Sequence, residues 1–174
     1  MKLLVLLTAL CVTTCCLAQK DRPVSAFASL NINNTLYDRT IGNNGVGFGA
    51  GLQLYIRTKS FIRPAIEATA DAFGGNKQLY VTAADKPIYA KEEVFTVFGG
   101  IYIQATKRLF FTGTAGPAFL NNKAYLGIKP AVGYYFLPGH QLAGRICFTN
   151  IFQRDDISNQ SFGYLNFTVA AKLF

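Results

Sequence analysis

The strongest constraint on the fold comes from residues 46–57, whose sequence is V-G-F-G-A-G-L-Q-L-Y-I-R. Every second residue is apolar, and the residues between them are glycines at one end and Gln53, Tyr55 and Arg57 at the other. Side chains alternate between the two faces of a β-strand, so one face of this strand is apolar and the other is small or polar. Because small residues suit a crowded barrel interior, we interpret the apolar face as facing lipid.

The same alternation recurs between turn-forming residues along the chain. It predicts eight strands, at residues 25–32, 46–57, 61–73, 94–106, 109–120, 124–136, 141–150 and 162–174. The connections 58–60, 107–108 and 137–140 are short, those at 33–44, 74–93 and 151–161 are longer, and only 121–123 departs from this alternation. Short turns at one end and longer loops at the other are typical of outer-membrane barrels. The sequence therefore predicts an all-β fold, an eight-stranded antiparallel up-and-down transmembrane β-barrel.

Three prolines lie inside predicted strands, Pro64, Pro117 and Pro130. Each removes a hydrogen bond of the sheet, and a closed barrel has no edge strand to accommodate them. All three fall on the apolar row, and we expect local β-bulges there.

Aromatic residues are predicted to lie near both ends of the strands, as expected where a barrel meets the two membrane interfaces. At the short-turn end they are Phe61, Phe110, Phe111, Tyr134 and Phe136, and at the loop end Phe73, Phe95, Phe119, Phe148 and Phe162.

The N-terminus has the features of a secretory signal. Lys2 precedes an apolar run, residues 3–10, that is too short to cross a bilayer as a helix, and Ala18 is a small residue that suits cleavage. We predict a cleaved signal peptide at residues 1–18 and a barrel domain at 19–174. Lipidation at Cys11, Cys15 or Cys16 is the alternative, but none of them follows the Gly, Ala or Ser expected before a lipidated cysteine.

Little in the sequence favours catalysis or nucleic-acid binding. The net charge is +8 at pH 7, but the basic residues are scattered, which does not favour a nucleic-acid site. The chain has one histidine, His140, which we predict to be solvated in a turn, and Cys147 is the only cysteine after residue 18. We predict no enzymatic activity, no cofactor and no metal site.

The inward rows carry charged residues: Arg63, Glu67, Asp71, Lys129, Arg145 and Lys172. An eight-stranded barrel is just wide enough for side chains to fill it. We therefore predict a charge network that plugs the lumen, in which Glu67 and Asp71 neutralise some of the basic residues. A narrow anion-favouring pore is the alternative.

The longest connection, residues 74–93, is the candidate interaction site. Residues 78–82 and 87–90 resemble two short strands, so this loop is predicted to form a hairpin above the membrane. Such a hairpin offers an edge for β-augmentation by a partner, with Gln78, Tyr80, Lys86 and Tyr89 as candidate contact residues. A plain variable surface loop is the alternative.

Taken together, the signal peptide, the alternating strands, the alternation of connection lengths and the terminal Phe174 resemble the small eight-stranded outer-membrane β-barrel proteins, the outer membrane protein beta-barrel domain family of the OmpX and OmpA-barrel type. The resemblance implies a location in the cell outer membrane, contact with outer-membrane lipid, and recognition of the C-terminal strand by the barrel assembly machinery. Phe174 is in phase with the inward row of Lys172, whereas the apolar row ends at Leu173.

The function predicted from this resemblance is a non-enzymatic structural or adhesive role through extracellular loops, with a possible extracellular protein partner. Two alternatives remain. One is a soluble barrel of lipocalin type that binds an apolar ligand, and the other is a narrow passive channel.

Overall fold

The computed structural model describes residues 24–37, 45–73, 80–81, 87–88, 93–120, 123–152 and 161–174. Ten strands and one 3-10 turn, Pro138–His140, lie within these residues. The strands are β1 Val24–Tyr37, β2 Val46–Ile56, β3 Ile62–Phe73, β4 Tyr80–Val81, β5 Pro87–Ile88, β6 Glu93–Gln104, β7 Leu109–Leu120, β8 Lys123–Tyr135, β9 Leu142–Phe152 and β10 Phe162–Lys172. All eight predicted strands are present, and the first continues beyond residue 32 to Tyr37. The predicted signal peptide, residues 1–18, lies outside the described residues.

Eight of the strands form one closed barrel in the order β1-β10-β9-β8-β7-β6-β3-β2. All neighbours are antiparallel, and β1 pairs with β10 to close the barrel, with Leu30 opposite Val169. The pairing continues past β10, since the Leu173 N–H donates to the Ala26 carbonyl at 2.8 Å. The predicted eight-stranded up-and-down barrel is therefore confirmed.

The barrel has its apolar rows outside and its polar rows inside. Leu30 is 72% exposed and Phe48 65%, whereas Asn31, between two outward residues of β1, is 3% exposed. The same alternation runs through β3, where Glu67 and Asp71 are buried and Ile66 is exposed. The predicted direction of the apolar face is correct. A lipocalin-type barrel would have the opposite arrangement.

The prolines lie on the outward face as predicted, but the expected bulges are absent. The register of β6 against β7 and of β8 against β9 stays constant, with pairing interrupted only around Pro117 and Pro130. The last pair of β2 with β3 is Tyr55 with Ala65, so Pro64, the next residue towards the start of β3, has no partner in β2. Each proline thus lies where the pairing of two strands is interrupted or ends. None of the three positions has the extra residue of a bulge.

Three of the aromatic residues predicted to face the membrane interfaces point inward instead. Phe110, Phe73 and Phe162 are buried in the lumen, whereas Phe61, Phe111, Tyr134, Phe136, Phe95 and Phe119 are exposed. The alternation of the strands decides this, because Phe110 and Phe111 are adjacent and therefore face opposite sides.

Inward glycines make room for these buried rings. A Cβ atom at Gly133 would collide with the ring of Phe110, and one at Gly127 with the ring of Phe98. By contrast, nothing lies within 4 Å of the corresponding position at Gly113, which faces outward. The alternation of glycine and large residues therefore fills a narrow lumen without overpacking it.

We predict that Gly133→Val lowers the free energy of unfolding by about 1–3 kcal/mol, the usual cost of overpacking a filled interior. The matched control is Gly113→Val, which adds the same side chain to open space and should leave stability unchanged or slightly raised. Urea unfolding of the protein folded into lipid vesicles measures both. Equal destabilisation by the two variants would contradict the packing account.

Candidate functional site

One carboxylate in the middle of the lumen joins three strands. Glu67 of β3 accepts from Lys129 Nζ of β8 at 2.7 Å through Oε1 and from Arg145 Nη2 of β9 at 2.9 Å through Oε2. Arg145 Nη2 also donates to Thr112 Oγ1 of β7 at 3.3 Å. Glu67, Lys129 and Arg145 are 4%, 1% and 3% exposed. The structure thus brings three of the predicted lumen residues into contact inside the barrel.

Asp71 is a second buried carboxylate, and its described hydrogen-bond donors are neutral. It accepts from Asn31 Nδ2 at 3.1 Å, Asn33 Nδ2 at 2.8 Å, Thr69 Oγ1 at 3.2 Å and the Tyr164 hydroxyl at 3.3 Å. Asp71 was expected to neutralise a basic residue of the network. Instead, amide and hydroxyl groups surround it, which is an alternative way to stabilise a buried carboxylate.

The amide network around Asp71 was not predicted as a unit. Asn31 lies opposite Thr168 and Asn33 opposite Asn166 where β1 pairs with β10. Thr168 Oγ1 donates to Asn31 Oδ1 at 3.0 Å, Asn166 Nδ2 donates to Asn33 Oδ1 at 2.5 Å, and Thr149 Oγ1 donates to Asn166 Oδ1 at 2.7 Å. The sequence signal for this network is the alternate spacing of polar residues in the first and last strands. These two strands pair only when the barrel closes.

The other two predicted lumen residues lie nearer the short turns. The Arg63 guanidinium lies 5.6 Å from the ring centre of Tyr102, at cation–π distance. Lys172 is half-buried at the end of β10, where its backbone N–H donates to the Gln141 carbonyl at 2.8 Å. The predicted charge network is thus divided: Glu67, Lys129 and Arg145 converge, and the remaining residues have other surroundings.

A layer of aromatic rings fills the lumen towards the short turns. The ring centres of Tyr55 and Tyr102 are 4.7 Å apart, and those of Phe110 and Tyr135 are also 4.7 Å apart. His140 stacks on Tyr135 at 4.1 Å, and its Nε2 donates to the Lys107 carbonyl at 2.9 Å. His140 lies in the turn and is partly exposed, as predicted, and in addition its ring stacks against the outer side of this aromatic layer.

A second aromatic layer fills the lumen towards the loops. Phe73 packs edge-on against Phe162 at 5.3 Å and against Tyr164 at 5.0 Å, and Phe98 and Leu120 complete the cluster. The charged and amide groups lie between the two layers. The side chains of this second layer and of the Glu67 and Asp71 networks are almost inaccessible to solvent. The described interior is therefore a packed core.

Part of the predicted loop hairpin is present. β4 and β5 pair antiparallel, with Tyr80 opposite Ile88 and Val81 opposite Pro87. Of the candidate contact residues, Gln78, Lys86 and Tyr89 lie outside the described residues, and only the backbone of Tyr80 is described.

The described residues hold no group of three or more His, Cys, Asp or Glu side chains that could bind a metal ion. Within the same ranges there is also no helix long and apolar enough to cross a membrane. Cys147 is buried, with its Sγ 3.9 Å from Thr168 Oγ1.

The solved structures that resemble this barrel are membrane proteins. Ail, the attachment invasion locus protein of Yersinia pestis, superposes with a TM-score of 0.55 at 8% identity, over 86% of this chain and 97% of that chain. The fold is that of the small eight-stranded outer-membrane β-barrels. The outer membrane protein Ail in a phospholipid bilayer nanodisc gives a TM-score of 0.52 at 10% identity, over 85% of this chain and 98% of that chain.

A de novo designed transmembrane β-barrel also matches, with a TM-score of 0.52 at 11% identity, over 87% of this chain and 98% of that chain. No protein-family model matches the sequence, and no curated protein matches it. The similarity therefore lies in the backbone arrangement, and what it shows is the fold, a closed eight-stranded antiparallel β-barrel of the same architecture.

We predict that Glu67→Gln lowers the free energy of unfolding by about 3 kcal/mol, because it leaves Lys129 and Arg145 as uncompensated buried charges. Adding Lys129→Met to this variant should recover part of the loss. Glu93→Gln, which changes an exposed carboxylate, is the control. Urea unfolding in lipid vesicles measures all of them, and an unchanged midpoint for Glu67→Gln would exclude a stabilising role for this carboxylate.

Proposed function

We propose that this chain is a non-enzymatic integral β-barrel of the cell outer membrane that has a structural or adhesive role through its long loops. The observation that carries the proposal is the inverted polarity of the barrel: the apolar residues face outward and the charged residues face inward. A closed barrel with an outward apolar band satisfies its backbone hydrogen bonds internally, which is what lipid requires.

The loops provide the interaction surface in this proposal. Three of the four connections at one end of the barrel, 38–45, 74–92 and 153–161, are longer than those at the other end, 57–61, 105–108 and 136–141, and the fourth, 121–122, is short. In outer-membrane barrels the longer loops face the outside of the cell. The hairpin of β4 and β5 presents strand edges to which an extracellular protein can add a strand. The name of Ail, attachment invasion locus protein, supports an adhesive role for such loops.

The packed lumen opposes the channel alternative. A conducting pore needs a water-filled path, whereas two aromatic layers enclose the Glu67 network and Lys129 is 1% exposed. The outward apolar rows similarly oppose a soluble lipocalin-type barrel, since such a barrel would bind its ligand with apolar residues inside.

Export and assembly follow the same proposal. A signal peptide at residues 1–18, cleaved after Ala18, would direct the chain across the inner membrane. The strand that ends near Phe174 would then be recognised by the barrel assembly machinery. Its pairing with β1, which continues to the last residues, supports a closing role for this strand.

We expect the protein to remain in the detergent-soluble membrane fraction and to change electrophoretic mobility on boiling, because a folded barrel resists unfolding by detergent at room temperature. Comparison of boiled and unboiled membrane samples measures this. A protein that is soluble after signal cleavage, with one mobility, would contradict the membrane location.

We further expect that replacing residues 78–89 with a short Gly-Ser linker abolishes binding to extracellular protein partners while the shift in mobility on boiling stays the same, since the hairpin lies outside the barrel ladder. Binding of the folded protein to cell-surface extracts, with and without the replacement, measures the loss. A matched replacement in the 153–160 connection is the control. Equal binding by all three proteins would contradict a role for this hairpin.

A further inference from the structure

An apolar groove crosses the outer wall of the barrel. It lies between two rows of outward side chains that are directly opposite one another on neighbouring strands. One row contains Val132, Ile146, Phe167, Ile32 and Phe48. The second row is nearer the short turns and contains Leu109, Tyr134, Gly144, Val169 and Leu30. The groove therefore runs across six strands, from β7 to β2.

In the second row one position of the groove lining has no side chain of its own, and a neighbouring ring lies over it. Gly144 occupies that position, and a Cβ atom there would lie 2.7 Å from Cζ of Phe136, whose ring covers the glycine. Large side chains flank the gap, with Ile146 50% and Val169 56% exposed. The ring of Phe136 over Gly144, between the side chains of Ile146 and Val169, thus forms part of the lining of the groove.

The size of the groove suits one hydrocarbon chain. Its volume is about 820 Å³, within the ~300–1,000 Å³ range of small-molecule sites. Six strands spaced about 4.8 Å apart give a length of about 24 Å, which an extended acyl chain of a membrane lipid can follow. The lining is almost entirely apolar, so the occupant must be apolar along this length.

The end of the groove near the short turns meets a basic rim. Lys107 and Arg108 are exposed in the turn before Leu109, and Arg57 and Lys59 are exposed in the short turn between β2 and β3. The Asp and Glu side chains of the described residues lie elsewhere: Glu67 and Asp71 are inside the barrel, and Glu93 begins β6 at the loop end. A surface with this charge attracts anionic lipid headgroups.

Arg108 connects the rim to the groove. Its Nη1 donates to the hydroxyl of Tyr134, which lines the groove, at 3.2 Å. The backbone of Arg108 is held in place, because its carbonyl accepts from the Tyr135 N–H at 2.9 Å and its own N–H donates to Thr106 Oγ1 at 3.2 Å. A cation therefore lies at one end of the apolar groove, within hydrogen-bond distance of a side chain that lines it.

We propose that this groove binds one anionic phospholipid of the leaflet at the short-turn end, with an acyl chain between the two rows and the phosphate at Arg108. The proposal rests on the membrane location proposed above. A basic residue in contact with the lining of an apolar groove matches the chemistry of one lipid, which has an anionic head and an apolar chain.

A second copy of the chain fits this surface less well. Two copies in one membrane have the same orientation, so docking along the groove would bring their basic rims together at one interface. Like charges at short distance repel, which disfavours that arrangement. A lipid phosphate at the same place neutralises the rim instead.

The experiment measures lipids retained by the folded full-length protein in native mass spectrometry, after incubation with equal amounts of phosphatidylglycerol and phosphatidylcholine that carry the same acyl chains. We expect one phosphatidylglycerol to be retained preferentially. Arg108→Gln should lower that preference about fivefold, the effect of one surface cation on an anionic lipid, and Arg108→Lys should restore most of it. Lys59→Gln, on the same rim, is the control and should leave the preference unchanged.

A second pair of variants tests the groove itself. Val169→Trp fills it and should lower retention of both lipids, whereas Val97→Trp places the same side chain on the outward face of β6, outside the groove, and should not. Equal retention of the two lipids by the unmodified protein, or equal losses within either pair of variants, would overturn the proposal. Dimers that disappear only in Val169→Trp would show a second copy as the occupant, which also overturns it.

The mobility of boiled and unboiled samples separates the two levels of failure. A protein without a heat-modifiable folded form fails the proposed function before any lipid is measured. A protein that folds as a membrane barrel but does not discriminate between the lipids fails only the lipid site.

Discussion

Closure of the barrel between β1 and β10 is the constraint on which the other features depend. Eight strands enclose a lumen that side chains alone can fill, so the inward residues must pack and the buried carboxylates need donors. This explains why the inward rows combine glycines with large rings and why the carboxylates have several donors each. The outward rows have a weaker requirement, since their side chains need only be apolar. Leu30 and Phe48 are examples, because both are apolar and largely exposed.

The interior solves the problem of buried charge in two different ways. Glu67 has two cationic partners from β8 and β9, whereas Asp71 has amide and hydroxyl donors from β1, β3 and β10. Opposite charges compensate desolvation directly, and several neutral donors do so by hydrogen bonding. Aromatic layers on both sides keep water away from these groups, which strengthens both kinds of contact.

Much of this arrangement could be predicted from the period of two along each strand. The alternation placed Glu67, Lys129 and Arg145 inside and Ile66 outside, because side-chain direction is fixed by the local backbone. The donors to Asp71 could not be predicted in the same way, since Asn33 and Tyr164 meet only through the register of β1 with β10. The stacking of His140 on Tyr135 depends similarly on how a turn folds over the lumen, which residue type alone does not determine.

The separation of Glu67 from its partners along the chain affects how the barrel can be completed. Lys129 and Arg145 follow it by 62 and 78 residues. An intermediate that has inserted β3 without β8 and β9 would hold an unpaired carboxylate in a medium that solvates charge poorly, at a cost of several kcal/mol. Insertion of the last third of the chain, which contains β8 and β9, supplies the cationic partners of this carboxylate and removes the cost. Partly inserted forms are therefore disfavoured relative to the closed barrel, and insertion becomes more cooperative than the regular ladder alone would make it.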